Sequence, residues 1–581
     1  MPCQSGSLKW GAAIGYGVDK APRLAPVVSR CCTRATPNPS FWLIPAQATF
    51  LRSAASAPQI VACASTFRGP SSTLEQMSVN SSSPNGGLTA SDGRTFFGHP
   101  WGLSTLFFTE MWERFSYYGM RALLTLFMTT ATIESNPGLG LDVATAGAIY
   151  GMYTALVYIT ALPGGWIADN LWGQRKAIWV GGWIIALGHF TMAVPSNFTF
   201  FLGLVFIICG TGLLKPNVST IVGDLYPEGG ARRDAGFSVF YMGINLGAFF
   251  GPLITGWLGE GYHWHWGFGA AGVGMVLGLI QYRIGQPHLG DIGHLRTDKT
   301  PEEVAALSKK FFGSLAAVVA AVAAFAFLVS NGTIAVSITQ IAQALGYSVL
   351  ILVALYFVYV WTLGGHTPEE NKRMAVIFWL FLMIAVFWSG FEQAGTSLNL
   401  FARDLTDRTM FGFEIPASTL QSINAGFIIL LAPLFGTLWV WLDSRQVNPS
   451  IPVKAGLGLL GLAMGFFVLA WGAANASPDS LVSPSWLVVT YFLHTVGELC
   501  ISPIGLSAIT KLSPTRRVGQ MMGIWFVGAA LGNLFAGLVA GQLETMMPAD
   551  LFRTVAMIIG GVGILALVVS QPFKKMMGGR Q

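Results

Sequence analysis

Fourteen stretches of 18 or more predominantly apolar residues follow one another from residue 103 onward. They lie near 103–130, 143–168, 177–195, 198–222, 236–258, 264–285, 311–330, 335–362, 374–402, 418–442, 453–474, 483–511, 518–543 and 551–573. A helix of about 20 such residues crosses a hydrocarbon core about 30 Å thick. In lipid, only segments that satisfy their own backbone hydrogen bonds can span. The pattern restricts this chain to an all-α membrane protein. The chain is 53% hydrophobic and only 10% charged, against about 25% charged in a soluble domain. Its 70 glycines suit helices that pack closely in lipid.

The loops give an independent count of the spans. One alternate set, with the C-terminal tail, holds nineteen Lys and Arg, from Arg175 and Lys176 to Lys574, Lys575 and Arg580; the other holds only Arg403, Arg408 and Arg553. By the positive-inside rule both termini are cytoplasmic. The longest connection, 286–310, is polar and charged and divides the chain into six spans (98–285), two (311–362) and six (374–575). Two equal six-span halves are the plan of a rocking-bundle carrier. The 311–362 pair, rich in Ala and Val, reads as peripheral, lipid-facing helices without a substrate role.

The formal net charge of +6 does not point to nucleic acid. Residues 1–76 contribute seven Lys and Arg against two acids, and the remainder is nearly neutral at 26 basic to 25 acidic. The leader 1–95 is rich in Ser, Ala, Pro, Gly and Arg, and is expected to be disordered. The preferred reading is that translation starts at Met77; a transit peptide is the alternative, and the intact mass of the natural product decides between them. Four of the six cysteines lie in this leader, and Cys209 and Cys500 fall in apolar helices, where a cysteine is an ordinary small packing residue. No metal-ligand spacing appears; HTVGE at 494–498 is not HExxH.

The first span breaks the apolar pattern. FFTEMWERFSYYGMRALL, residues 107–124, carries charges that each cost about 2.5–3.5 kcal/mol at the centre of a spanning helix. At ~100° per residue, Glu110, Glu113, Arg114, Tyr117, Tyr118 and Arg121 fall on one face, and Glu110 precedes Arg114 in the i,i+4 order that favours pairing. Such a stripe must meet partners or a water-filled cavity. The other charges within spans are Lys215 before Pro216, Glu392 in FWSGFEQAGTSLNLF, and Glu498 in HTVGELCISPIGLS. Gly and Pro in the last two segments predict broken helices that line a cavity. Four acids face three bases, a balance that one proton completes, as in a proton relay. Arg and Lys in the first half offer donors to a carboxylate, and Glu498 in the second offers an acceptor to an amine, so a zwitterion could bridge the halves.

These residues carry a resemblance. Glu110–Gly119 fits ExxERFxYYG and resembles the signature of the proton-dependent oligopeptide transporter family, a branch of the major facilitator superfamily. GGWIADNLWGQRK (164–176), GTGLLKPNVS (210–219), FSVFYMGINLGAFFGPL (237–253), FEQAGTSLNLFA (391–402), GELCISPIGLSAITKLSP (497–514) and QMMGIWF (520–526) extend it over about 98–575. The two central spans look like the bacterial branch, which implies a bacterial plasma membrane.

The resemblance implies a major facilitator fold of two six-helix bundles plus two added helices. It implies a non-enzymatic importer of di- and tripeptides driven by protons, with no other cofactor, working as a monomer. Glu110, Glu113, Arg114 and Glu392 would couple to protons. Arg114, Arg121 and Lys215 would meet the peptide carboxylate, while Asn245, Asn424 and Glu498 would hold its amine and backbone. Tyr118, Tyr158, Trp388 and Trp525 would line side-chain pockets. Lys215 with Glu392 would close the outer gate, and Asp169 would brace the inner one. The alternatives are a related carrier of another anionic or zwitterionic solute, such as nitrate or an amino-acid-like metabolite, and a peptide sensor that transports nothing. A sensor has no appended signalling domain in its favour.

Overall fold

The computed structural model describes residues 94–578 apart from 411 and 478, and apart from the side chains of 503, 504 and 506. The expectations for the leader, including the Met77 start and disorder, lie outside the described residues up to 93. A small hairpin, β1 (Thr95–Phe96) and β2 (His99–Pro100), turns at Phe97 and Gly98, both at positive φ. It leads into α1 (Gly102–Thr129), α2 (Val143–Ile167), α3 (Gln174–Met192), α4 (Asn197–Asp224), α5 (Gly230–Gly261) and α6 (Trp264–Gly285). Two further helices follow, α7 (Pro301–Ser330) and α8 (Ile338–Leu363). The second half comprises α9 (Pro368–Phe391), the short α10 (Ser397–Asp404), α11 (Ser422–Ser444), α12 (Ile451–Ala474), α13 (Ser485–Leu512), α14 (Val518–Ala540), α15 (Pro548–Val568) and the terminal α16 (Ser570–Met576). Among the described residues, twelve helical segments are long and apolar enough to cross a membrane. The other two long helices are α1, with its four charges, and α3, which spans 19 residues and opens on Arg175 and Lys176.

The segment read as the loop 286–310 is divided. Its second part, from Pro301, forms the first turns of α7, because Thr300 and Glu303 make a reciprocal capping box and Pro301 sits at the first helical position. The rest is tied down by Arg175, a residue that looked like an orientation charge. Its Nε donates to Ile292 O at 2.5 Å, its guanidinium also reaches Gly290 O, and its backbone N–H meets Gly293 O.

The two halves are bonded together at the end of the molecule that carries the 405–416 connection. Asn399 Nδ2 donates to Ala122 O at 2.7 Å, Thr125 Oγ1 to Gly395 O at 2.8 Å, and Arg403 Nη1 to Thr129 Oγ1 at 2.8 Å. Beside them α2 and α14 meet backbone to backbone. A Cβ on Gly147 would lie 2.4 Å from Gly537 O, so only glycine permits this approach. No residue of α7 is buried, as expected for a lipid-facing helix. Its partner α8 differs from that expectation: Ala342 and Gly346 pack over the α2–α14 seam, and Tyr356 donates to Gln520 Oε1 at 2.7 Å.

Candidate functional site

The charged face of α1 points into the protein. Glu110, Glu113, Arg114 and Arg121 are all at most 6% exposed. A charge taken out of water at this depth is tolerated only beside an opposite one. Arg114 Nε lies 3.1 Å from Glu110 Oε1 and 2.5 Å from Glu113 Oε2. Its guanidinium also faces the Tyr117 ring at 5.2 Å. Two turns further along, Arg121 covers the Tyr118 ring at 4.7 Å and pairs with Glu392 of the other bundle. After this pairing, Arg114 Nη2 and Arg121 Nε are buried donors with no protein acceptor among the described residues.

Glu392 reaches Arg121 because its helix stops. The 3₁₀ turn Glu392–Gly395 separates α9 from α10, as its glycines predicted, and carries the carboxylate inward. Gly395 is fixed by contact: a Cβ there would lie 2.0 Å from the hydroxyl of Tyr150. The break expected near Glu498 does not occur; α13 runs unbroken from Ser485 to Leu512.

The expected Lys215–Glu392 pair is replaced by Arg121–Glu392. The physical reason is where each cation's helix holds it: α1 brings Arg121 directly opposite the turn, while Lys215 on α4 sets its ammonium 4.0 Å from the ring centre of Tyr158. Glu110, Glu113 and Glu392 all remain within electrostatic range of that ammonium. In the second bundle, Asn424 Nδ2 donates to Thr495 Oγ1 at 2.9 Å and lies 3.5 Å from Glu498 Oε2. Glu498 is in electrostatic range of Glu392 and Tyr118. Asn245 is buried on α5 and spends its amide N–H on Tyr241 O at 2.9 Å.

Trp388 packs on Gly532 of α14. Trp525 lies against Gly505 and closes an apolar hollow lined by Leu380, Met383, Ile451, Ala455 and Ile501. Asp169 stands apart from this set. It accepts from Gln174 at 3.1 Å within its own turn, and shares a polar hollow with Asp224, His294 and Arg296. His494 shares a helix face with Glu498 in sequence, but its ring packs on Phe466 at 4.9 Å between centres, a packing role.

Tyr150 and Tyr153, the alternatives to Tyr158 in the same span, also contribute, and Thr495 is an addition to the candidate set. Tyr153 stacks on Tyr117 at 6.3 Å, and Tyr150 braces the Glu392 turn. Their signal was the run of tyrosines 150, 153 and 158 in one span. Thr495 lies three residues before Glu498, on the same helix face, and that spacing could have found it.

Comparison with known proteins agrees with this architecture. The family model PTR2, described as POT family, matches residues 175–555. The peptide transporter YePEPT of Yersinia enterocolitica subsp. palearctica serotype O:3 is 44% identical, covering 84% of this chain and 97% of its own. The di-/tripeptide transporter of Lactococcus lactis subsp. lactis is 38% identical, over 84% and 98% respectively. A crystal structure of a peptide transporter POT in complex with sulfate superposes with a TM-score of 0.77 at 40% identity, over 84% of this chain and 97% of that one. Matched along most of its length by that family's model, relatives and fold, the chain belongs to the POT family.

Proposed function

We propose that the chain is a symporter of the bacterial inner membrane that imports di- and tripeptides with protons by alternating access. It acts as a carrier and not an enzyme, works as a monomer, and needs no cofactor beyond the coupling proton. One observation carries the reading: the ionic stripe of α1 is joined across the bundles to Glu392, which lies in electrostatic range of the Glu498–Asn424 pair.

The excess of positive charge in one set of loops puts both termini in the cytoplasm. The end closed by the 405–416 connection is then the outer end, and the conformation is closed to the outside. A proton on Glu392 removes the charge that holds Arg121, and so loosens the outer end. Arg114, Arg121 and Lys215 then take the peptide carboxylate, which satisfies the guanidinium N–H groups that have no protein acceptor. Glu498, Asn424 and Asn245 take the amine and backbone. Tyr118, Tyr158, Trp388 and Trp525 meet the side chains. Glu110, Glu113 and Arg114 respond to the change in charge and return the proton inward, and Asp169 steadies the inner turn.

One proton moving down about 100 mV releases roughly 2.3 kcal/mol, which supports about a fifty-fold gradient of a neutral peptide. A simple anion such as nitrate would leave Glu498 facing a substrate with no donor, so peptides fit better. The test is dialanine uptake into liposomes with and without an imposed inward proton gradient. Accumulation only with the gradient is expected; uptake of nitrate that dipeptides do not compete with would reverse the substrate assignment.

A further inference from the structure

Glu260 lies in the last turn of α5, within Gly259–Gly261, half-buried. A carboxylate at a helix C-terminus meets the negative end of its own helix dipole, so its own helix gives it no reason to be there. The reason lies across the seam. Its Oε2 accepts the Ala417 N–H at 2.9 Å, its Oε1 accepts the Ser418 N–H at 2.8 Å, and the Ser418 hydroxyl donates to it as well.

Those N–H groups open the turn Ala417–Gln421 that leads into α11. The first N–H groups of a helix have no partner within it and normally take a side chain from the preceding residue. Here that residue is Pro416, whose side chain has no oxygen to offer. The cap comes instead from the other bundle. Gly256, one turn earlier on α5, allows the approach: a Cβ there would lie 2.4 Å from Ser418 Oγ. Asn136 Nδ2 donates to Gly259 O at 2.7 Å and holds the end of α5 in place.

We propose that Glu260 is a second outer latch: a helix cap supplied by one bundle to the other, which must break whenever the outer end opens. It rests on the transport reading above for its place in a cycle, but not for its geometry. Arg121–Glu392 closes the outer end by charge pairing near the site, whereas Glu260 closes it by capping α11 further out. Both must release before a substrate enters.

The experiment places spin labels on Ile133→Cys and Phe413→Cys, exposed outer positions of the two bundles, in the full chain, without peptide or proton gradient. The readout is the ratio of separated to closed distances. Glu260→Gln exchanges a carboxylate acceptor for an amide whose NH2 cannot accept, and should raise that ratio about tenfold; Ser418→Ala removes one donor and should raise it about threefold. If Glu260→Gln folds poorly, Ser418→Ala alone decides. Unchanged distances in whichever variants fold, even with a lowered melting temperature, would reduce Glu260 to a structural cap and overturn the proposal. The readout needs no transport, so a failed dialanine assay leaves the latch standing, and a failed latch leaves the transport reading standing.

Discussion

Arg121 on α1 and Glu392 in the turn between α9 and α10 form an ion pair that joins the two bundles, both side chains buried. Removing one partner of such a pair leaves the other charge uncompensated at a cost of about 3–5 kcal/mol. Glu392→Ala should therefore lower the melting temperature in detergent. Arg121→Met with Glu392→Leu should recover most of that loss, since neither charge remains. Transport should fail in both. Equal stability of the single and double variants would argue that the pair is not buried as described.

Glu113 contacts Arg114 at 2.5 Å and is fully buried. Its proposed role is in coupling, so Glu113→Gln should abolish gradient-driven accumulation of dialanine while sparing counterflow exchange. Accumulation at the wild-type level would remove Glu113 from the proton path.

Glu498 and Asn424 are assigned to the peptide amine. Glu498→Gln should weaken peptides with a free amine by tenfold or more, the scale of a lost hydrogen bond to a charged group. Amine-acetylated peptides should change little. Competition measurements in which both kinds weaken equally would mean that Glu498 acts on the bundle rather than the substrate.

Gly395 abuts the Tyr150 hydroxyl so closely that a methyl group has no room. Gly395→Ala should destabilise by about 1–3 kcal/mol, as overpacking does. Tyr150→Phe in the same chain should return part of it. Additive effects in this double-mutant cycle would show that the two residues do not meet.

His99, outside the spans, lies 2.9 Å from the Tyr226 hydroxyl through Nδ1. Burial chiefly, and then Arg232, hold its pKa below the ordinary 6.5. The unfolded chain therefore binds the proton more readily, so stability is present above that value and is lost as pH falls below it. The protection factors of residues 95–101, which are hydrogen-exchange rates corrected for the intrinsic pH dependence of exchange, should fall below about pH 6.5, and His99→Gln should flatten that dependence. Protection factors that are flat with pH in the unmodified chain would count against the pairing.

The helices are legible because hydropathy and length report directly on spanning: the apolar run 264–285 coincides with the helix Trp264–Gly285. The α1 stripe was legible because a 3.6-residue period fixes which side chains share a face. The partner of Glu392 was not, because a period says nothing about how one helix is rotated against another. Arg121 and Lys215 were both available, and only tertiary geometry selects between them. The beginning of α7 was missed because Glu302, Glu303, Lys309 and Lys310 look like loop, although Thr300 and Glu303 had the spacing of a cap. Glu260 was invisible for a related reason: its cap belongs to a helix more than 150 residues away in sequence.

The bare contact of Gly147 with Gly537 has a mechanical consequence. At that point two peptide backbones are in direct touch, with no side chain between them to compress or to change rotamer. The seam of α2 and α14 therefore has one stiff point, like the knife edge of a balance. A rotation about so stiff a fulcrum translates a small displacement at the outer rim into a wide mouth at the opposite rim. Bulk added there, as in Gly147→Val, would force the two backbones apart.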